Sequence, residues 1–159
     1  MNEAKKQLAA GKRYGRGWSC STINTVQVGD RAYFYRVASE PTGFFACGRI
    51  VSEESNSQLR KTPHLHHLSS AYSNQYTNEE YVVAYEWLSV VDYDKTLSGR
   101  KLRAMPEFDD YKFLFRRSGQ SLGESFTANH LQFLDELWIE HVMEMAKRGY
   151  GACTPLLTT

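Results

Sequence analysis

Only three cysteines, Cys20, Cys47 and Cys153, occur in 159 residues. They are odd in number, far apart and without a C-x-x-C pair, which argues against both a disulfide framework and a thiolate zinc site. Such sparing use suits a reducing compartment. Long apolar runs are also missing, and the first residues are polar and charged, so neither a membrane span nor a signal peptide is expected. The expectation is a soluble, cytoplasmic protein. Nor is there an excess of charge: 19 basic and 18 acidic side chains leave +1, so attraction to a polyanion has to come from where the charges lie.

Catalytic signatures are missing as well. No H-E-x-x-H, Walker-type loop or G-x-G-x-x-G following a strand is present, and Ser118-Gly119 lacks the G-x-S-x-G elbow. His64, His66 and His67 form "HLHH" without further ligands at zinc spacing. His130 and His141 fall on an expected helix, where packing or surface hydrogen bonding is their ordinary role. No nucleophile stands with its base, so a binding protein without metal or cofactor is expected. An enzyme using the loop histidines is the competing class.

The length suits one domain, and three regions are expected: a basic flexible arm at 1–17, a domain at 18–148 and a frayed tail at 149–159. In the arm, Lys5, Lys6, Lys12, Arg13 and Arg16 stand against Glu3 alone and are interleaved with Gly11, Gly15 and Gly17. A hairpin follows, with strands near Arg31 to Val37 and Phe44 to Val51 joined by turn-favouring residues. Alternation places Tyr33, Tyr35 and Val37 on one face of its first strand and Ala32, Phe34 and Arg36 on the other. Aromatics on both faces suit a curved sheet or small barrel. Residues 52 to 80 are polar and aperiodic, as in a binding loop or a disordered segment.

"YVVAYEWLSVV" at 81–91 reads as a long strand. A shorter apolar stretch, "YKFLF" at 111–115, runs into a polar turn. From Thr127, an expected N-cap, the spacing of Leu131, Leu134, Trp138, Val142 and Met145 predicts an amphipathic helix ending near Gly149. The whole predicts an α+β domain, a small mixed β-barrel with flanking helices.

Several stretches carry a resemblance: "RGWSCSTINTVQVGDRAYFYRVASEPTGFFACGRIVSE", "YVVAYEWLSVVDYD" and "FRRSGQSLGESFTANHLQFLDELW". Their most specific parts are Trp18-Ser19, Gly29-Asp30-Arg31, Glu40-Pro41 with Gly43, Ala46-x-Gly48 and Ser118-Gly119. Over roughly residues 13 to 140 the chain resembles the EVE branch of the PUA-like superfamily, in particular the domain that precedes HNH nucleases in modification-dependent restriction proteins. The resemblance implies a small barrel that reads a modified base in double-stranded DNA by flipping it into an aromatic pocket. 5-Methylcytosine or 5-hydroxymethylcytosine is the expected base and N6-methyladenine the alternative. No H-N-H motif is present, so any nuclease is expected in a fused or partner domain. An RNA-binding module of the same architecture is the second reading.

Extruding a base costs a few kcal/mol, which stacking of about 1–3 kcal/mol per base can offset. On that basis Trp18, Tyr35 and Trp87 are candidate pocket walls, and Ser19, Ser118 and Gly119 candidates for reading the base edge. Lys12, Arg13, Arg16, Arg36, Arg60, Lys61 and Arg117 are candidate phosphate contacts. Arg49 also belongs on that surface, and for both Arg36 and Arg49 the ordinary alternative is pairing with a carboxylate such as Glu86.

Overall fold

Ala4 and Leu8, spaced by one helical turn, are both buried, and they anchor helix α1 at Asn2–Ala9. This element comes from a computed structural model that describes residues 1–19, 27–37, 39–52, 82–116 and 127–154. Lys5 fastens α1 further through an ion pair with Asp92 at 2.7 Å and a hydrogen bond to the Gly149 carbonyl at 3.4 Å. The expected flexible arm is therefore a docked helix as far as Ala9. Within the helix Lys6 lies on the exposed face, and Ala4 and Leu8 on the buried one.

Among the described residues six strands follow the expected α+β plan: β1 (Gly15–Ser19), β2 (Arg31–Arg36), β3 (Gly43–Ser52), β4 (Val82–Val91), β5 (Leu97–Ser98) and β6 (Gly151–Cys153). The sheet order is β1-β4-β3-β2, with β5 paired to β3 and β6 to β4. Among the described residues β1 and β2 are ends of this order and do not pair with each other, so the sheet is open and not the expected closed barrel. Within the expected tail, Gly151, Ala152 and Cys153 pair antiparallel with Val91, Val90 and Ser89.

Helices complete the plan. Ser98 caps α2 (Gly99–Arg103) by accepting from the Lys101 amide, and a 3-10 helix, Pro106–Arg116, contains the 111–115 stretch and buries Phe108 completely. Helix α3 spans Ala128–Lys147, with Thr127 as its N-cap and Leu134, Trp138, Val142 and Met145 buried. Each such burial is worth about 1.5–3 kcal/mol before entropy is counted. The helix stops at Gly149, whose φ of +81° suits glycine. Hydrogen bonds from the Gly149 amide to Ala146 and from the Tyr150 amide to Met145 close a Schellman motif.

The chain divides into two compact units, one of Met1–Lys12, Tyr33–Cys47 and Leu88–Thr159, the other of Arg13–Ala32 and Gly48–Trp87. The first holds the main core, where Phe44, Leu102, Phe108, Leu134 and Trp138 cluster. There the two-faced reading of the hairpin holds. Tyr33 packs edge-on to Phe44 and Trp138, and its hydroxyl donates to the Asp135 carboxylate. On the other face Phe34 meets Phe45, which meets Tyr93.

Two glycines allow close backbone approach. At Gly43 (φ +153°) a Cβ would lie 2.1 Å from the Leu97 carbonyl oxygen, where β3 pairs with β5. At Gly48 it would lie 2.3 Å from the Glu86 carbonyl oxygen.

Candidate nucleic-acid interface

The second unit is organised by β1 lying antiparallel on β4. Gly15 is opposite Glu86, Arg16 opposite Tyr85, Gly17 opposite Ala84, Trp18 opposite Val83 and Ser19 opposite Val82. A hydrogen bond from the Trp87 amide to the Tyr14 carbonyl, 2.8 Å, continues this pairing one step further. The strand that carries Arg16 and Trp18 thus runs along the strand that carries Tyr85 and Trp87.

Strand alternation puts Tyr85 and Trp87 on one face of β4. The Trp87 ring stands 5.3 Å from that of Tyr14 and 6.1 Å from that of Tyr85, nearly parallel to the latter at 25°. Offset arrangements of this kind are favourable beyond their area. Trp87 is only 7 % exposed, so it supports its neighbours more than it offers a face.

Glu86 points away from that row and is 3 % exposed. A buried carboxylate is tolerated when it is paired. One oxygen is bound by Arg13, and the other lies 3.6 Å from Arg49. The pairing anticipated for Arg49 is present, and Arg13, expected on phosphate, shares the same carboxylate.

The remaining candidates are dispersed. Arg36 donates to the Ser39 hydroxyl at 2.9 Å and 3.3 Å and to the Tyr93 carbonyl, with its guanidinium 5.9 Å from the Tyr93 ring centre, so it braces the hairpin turn. Tyr35 belongs to the first unit and packs edge-on to Phe44 at 5.0 Å, its hydroxyl filling the space beside Gly99. Burial, the largest influence, raises its phenol pKa, with Thr42 hydrogen bonding and Arg103 opposing. That is core packing. Lys12 is exposed just beyond α1. For Arg16, Trp18 and Ser19 the pairing of β1 fixes the backbone. Ser118, Gly119, Arg60, Lys61 and Arg117 lie outside the described residues, as do His64, His66 and His67.

Tyr14, Tyr85 and the pairing of Arg13 with Glu86 were not anticipated. The i, i+2 spacing of Tyr85 and Trp87 is a usable signal for an aromatic row; the place of Tyr14 emerges only from strand register.

Among the described residues no group of three or more His, Cys, Asp or Glu side chains could hold a metal ion. Among them, too, no helix is long and apolar enough to cross a membrane. No family model, curated protein or solved structure matches the chain.

Proposed function

We propose that the chain is a DNA-binding module that reads a modified base, with modified cytosine as the preferred target, and that it serves as the specificity part of a modification-dependent restriction system. One observation carries the proposal: β1, with Arg16 and Trp18, lies in register along the β4 segment whose Trp87 is packed between Tyr14 and Tyr85. A strand whose sequence carries a basic residue and a tryptophan, paired with a strand that bears an aromatic row, suits contact with a phosphate and stacking on an extruded base. The likeness of "RGWS" and the hairpin to EVE domains directs the choice towards a modified base in DNA.

Within this proposal the stacking face belongs to Trp18. Stacking of about 1–3 kcal/mol per base offsets much of the cost of unstacking. The methyl group itself adds only about 0.8 kcal/mol of apolar burial, so base identity has to be read by hydrogen bonds.

The test is a titration of the purified protein with matched duplexes carrying cytosine, 5-methylcytosine, 5-hydroxymethylcytosine or N6-methyladenine, alongside RNA of the same sequence. Tighter binding to a modified cytosine is expected, with Trp18→Ala removing about 1–3 kcal/mol of that preference while leaving unmodified DNA almost unchanged. Lys12→Ala with Arg16→Ala should weaken all duplexes alike. A folded Trp18→Ala protein with its preference intact would dismiss Trp18 as the wall, and tighter binding to RNA would replace DNA as the ligand.

A further inference from the structure

We infer that Arg13 and Arg49, braced by the buried carboxylate of Glu86, clasp a single backbone phosphate of the bound nucleic acid, an inference that rests on the nucleic-acid reading above. Each guanidinium takes a different oxygen of Glu86, Arg13 through Oε1 and Arg49 through Oε2 at 3.6 Å. Both arginines therefore converge on one small area, one from β3 and one from the residues just before β1. Glu86 is sunk beneath them, yet the arginine side chains remain 54 % and 46 % exposed.

One guanidinium is enough to neutralise one carboxylate. The second leaves these three residues with a positive charge in excess, held at the surface. Each guanidinium carries five N–H donors in a fixed fork, and a contact to one carboxylate oxygen leaves most of them for another acceptor. Two such forks, already oriented by a shared anchor, match the oxygens of a phosphodiester and lose little freedom on binding it.

The flanking residues leave room for this. Gly15 is opposite Glu86 on β1, and the Gly48 backbone lies so close to Glu86 that a Cβ there would come to 2.3 Å of its carbonyl oxygen. Neither position places a side chain beside the carboxylate.

The experiment measures binding of unmodified and modified duplexes over a salt series for the full chain and for Arg13→Ala, Arg49→Ala, Arg49→Lys and the double alanine variant, each with its melting temperature. Either alanine variant should weaken both duplexes by the same factor and flatten the slope of log affinity against log salt by roughly 0.9, the value for one phosphate contact. The double variant should flatten it no further. Arg49→Lys should keep the slope but not the full affinity, since it keeps the charge and loses the fork. If Arg49→Ala lowers the melting temperature and leaves the salt slope intact, Arg49 is only a counter-ion for Glu86 and the clasp is wrong while the DNA reading stands. A double variant that loses twice the slope places the arginines on separate phosphates and also overturns the clasp. An unaltered protein that binds neither DNA nor RNA removes both.

Discussion

The indole Nε1 of Trp138 donates a hydrogen bond to the Ser89 hydroxyl at 2.7 Å, and both residues are fully buried. Helix α3 is thus keyed to β4 by a polar contact set inside an apolar core. Ser89→Ala should leave the indole N–H buried without its acceptor and cost about 1–3 kcal/mol in denaturant unfolding. Removing both ends, in Ser89→Ala with Trp138→Phe, should cost clearly less than the sum of the two single changes. Simple additivity would show that the two groups do not depend on each other.

Glycine substitutions should separate crowding from backbone preference. Gly29 (φ +96°) has nothing within 4 Å of its would-be Cβ, so Gly29→Ala should cost only about 1 kcal/mol of conformational strain. Gly43→Ala meets the Leu97 carbonyl at 2.1 Å, and should cost about 3 kcal/mol or more because backbone cannot step aside as a side chain can. Equal melting temperatures for the two variants would refute this.

Acid should find His141. Burial is the main cause that lowers its pKa from the ordinary 6.5, and its Nε2 lies 2.7 Å from the Lys95 carbonyl, which fixes the proton on that nitrogen. Lys101 also disfavours a charged ring. Above pH 6.5 the ring is neutral in both the folded and unfolded chain and adds no pH dependence. Below it the unfolded chain takes up a proton that the folded chain resists, so stability falls as pH drops towards the folded pKa. Urea midpoints measured between neutral and mildly acid pH should decline, and less steeply in His141→Gln. Identical declines would clear His141 of the effect.

Alkali should find Tyr35 by the opposite route. Its raised pKa means that the unfolded chain loses the phenolic proton first, so stability is intact below pH 10.0 and is lost above it, until the folded phenol also ionises. Tyr35→Phe should flatten that alkaline loss without altering any preference among duplexes. A changed preference would return Tyr35 to the base-binding surface.

Helix α3 was legible because its signals agree: a threonine cap, apolar residues every three or four positions and a glycine stop all name the same segment. The hairpin was legible for the same reason, with Tyr33 and Tyr35 alternating against Phe34 and Arg36. Helix α1 was hidden because its buried face is only Ala4 and Leu8, outnumbered by charged neighbours, and its stability comes from docking. Strand β6 is three residues long, too short to show a period. Closure into a barrel was inferred from aromatics on both faces, but Phe34, Phe45 and Tyr93 cover one another without it. The pairing of Arg13 with Glu86 depends on the register of β1 against β4, which local composition does not encode.

Helix α1 packs against β6, with Leu8 wholly enclosed. Anyone preparing the protein should therefore treat the opening residues as part of the folded body. Trimming them to obtain a tidier fragment would strip the cover from β6 and invite aggregation, and a purification tag is safer joined to Met1 through a flexible spacer than substituted for the helix.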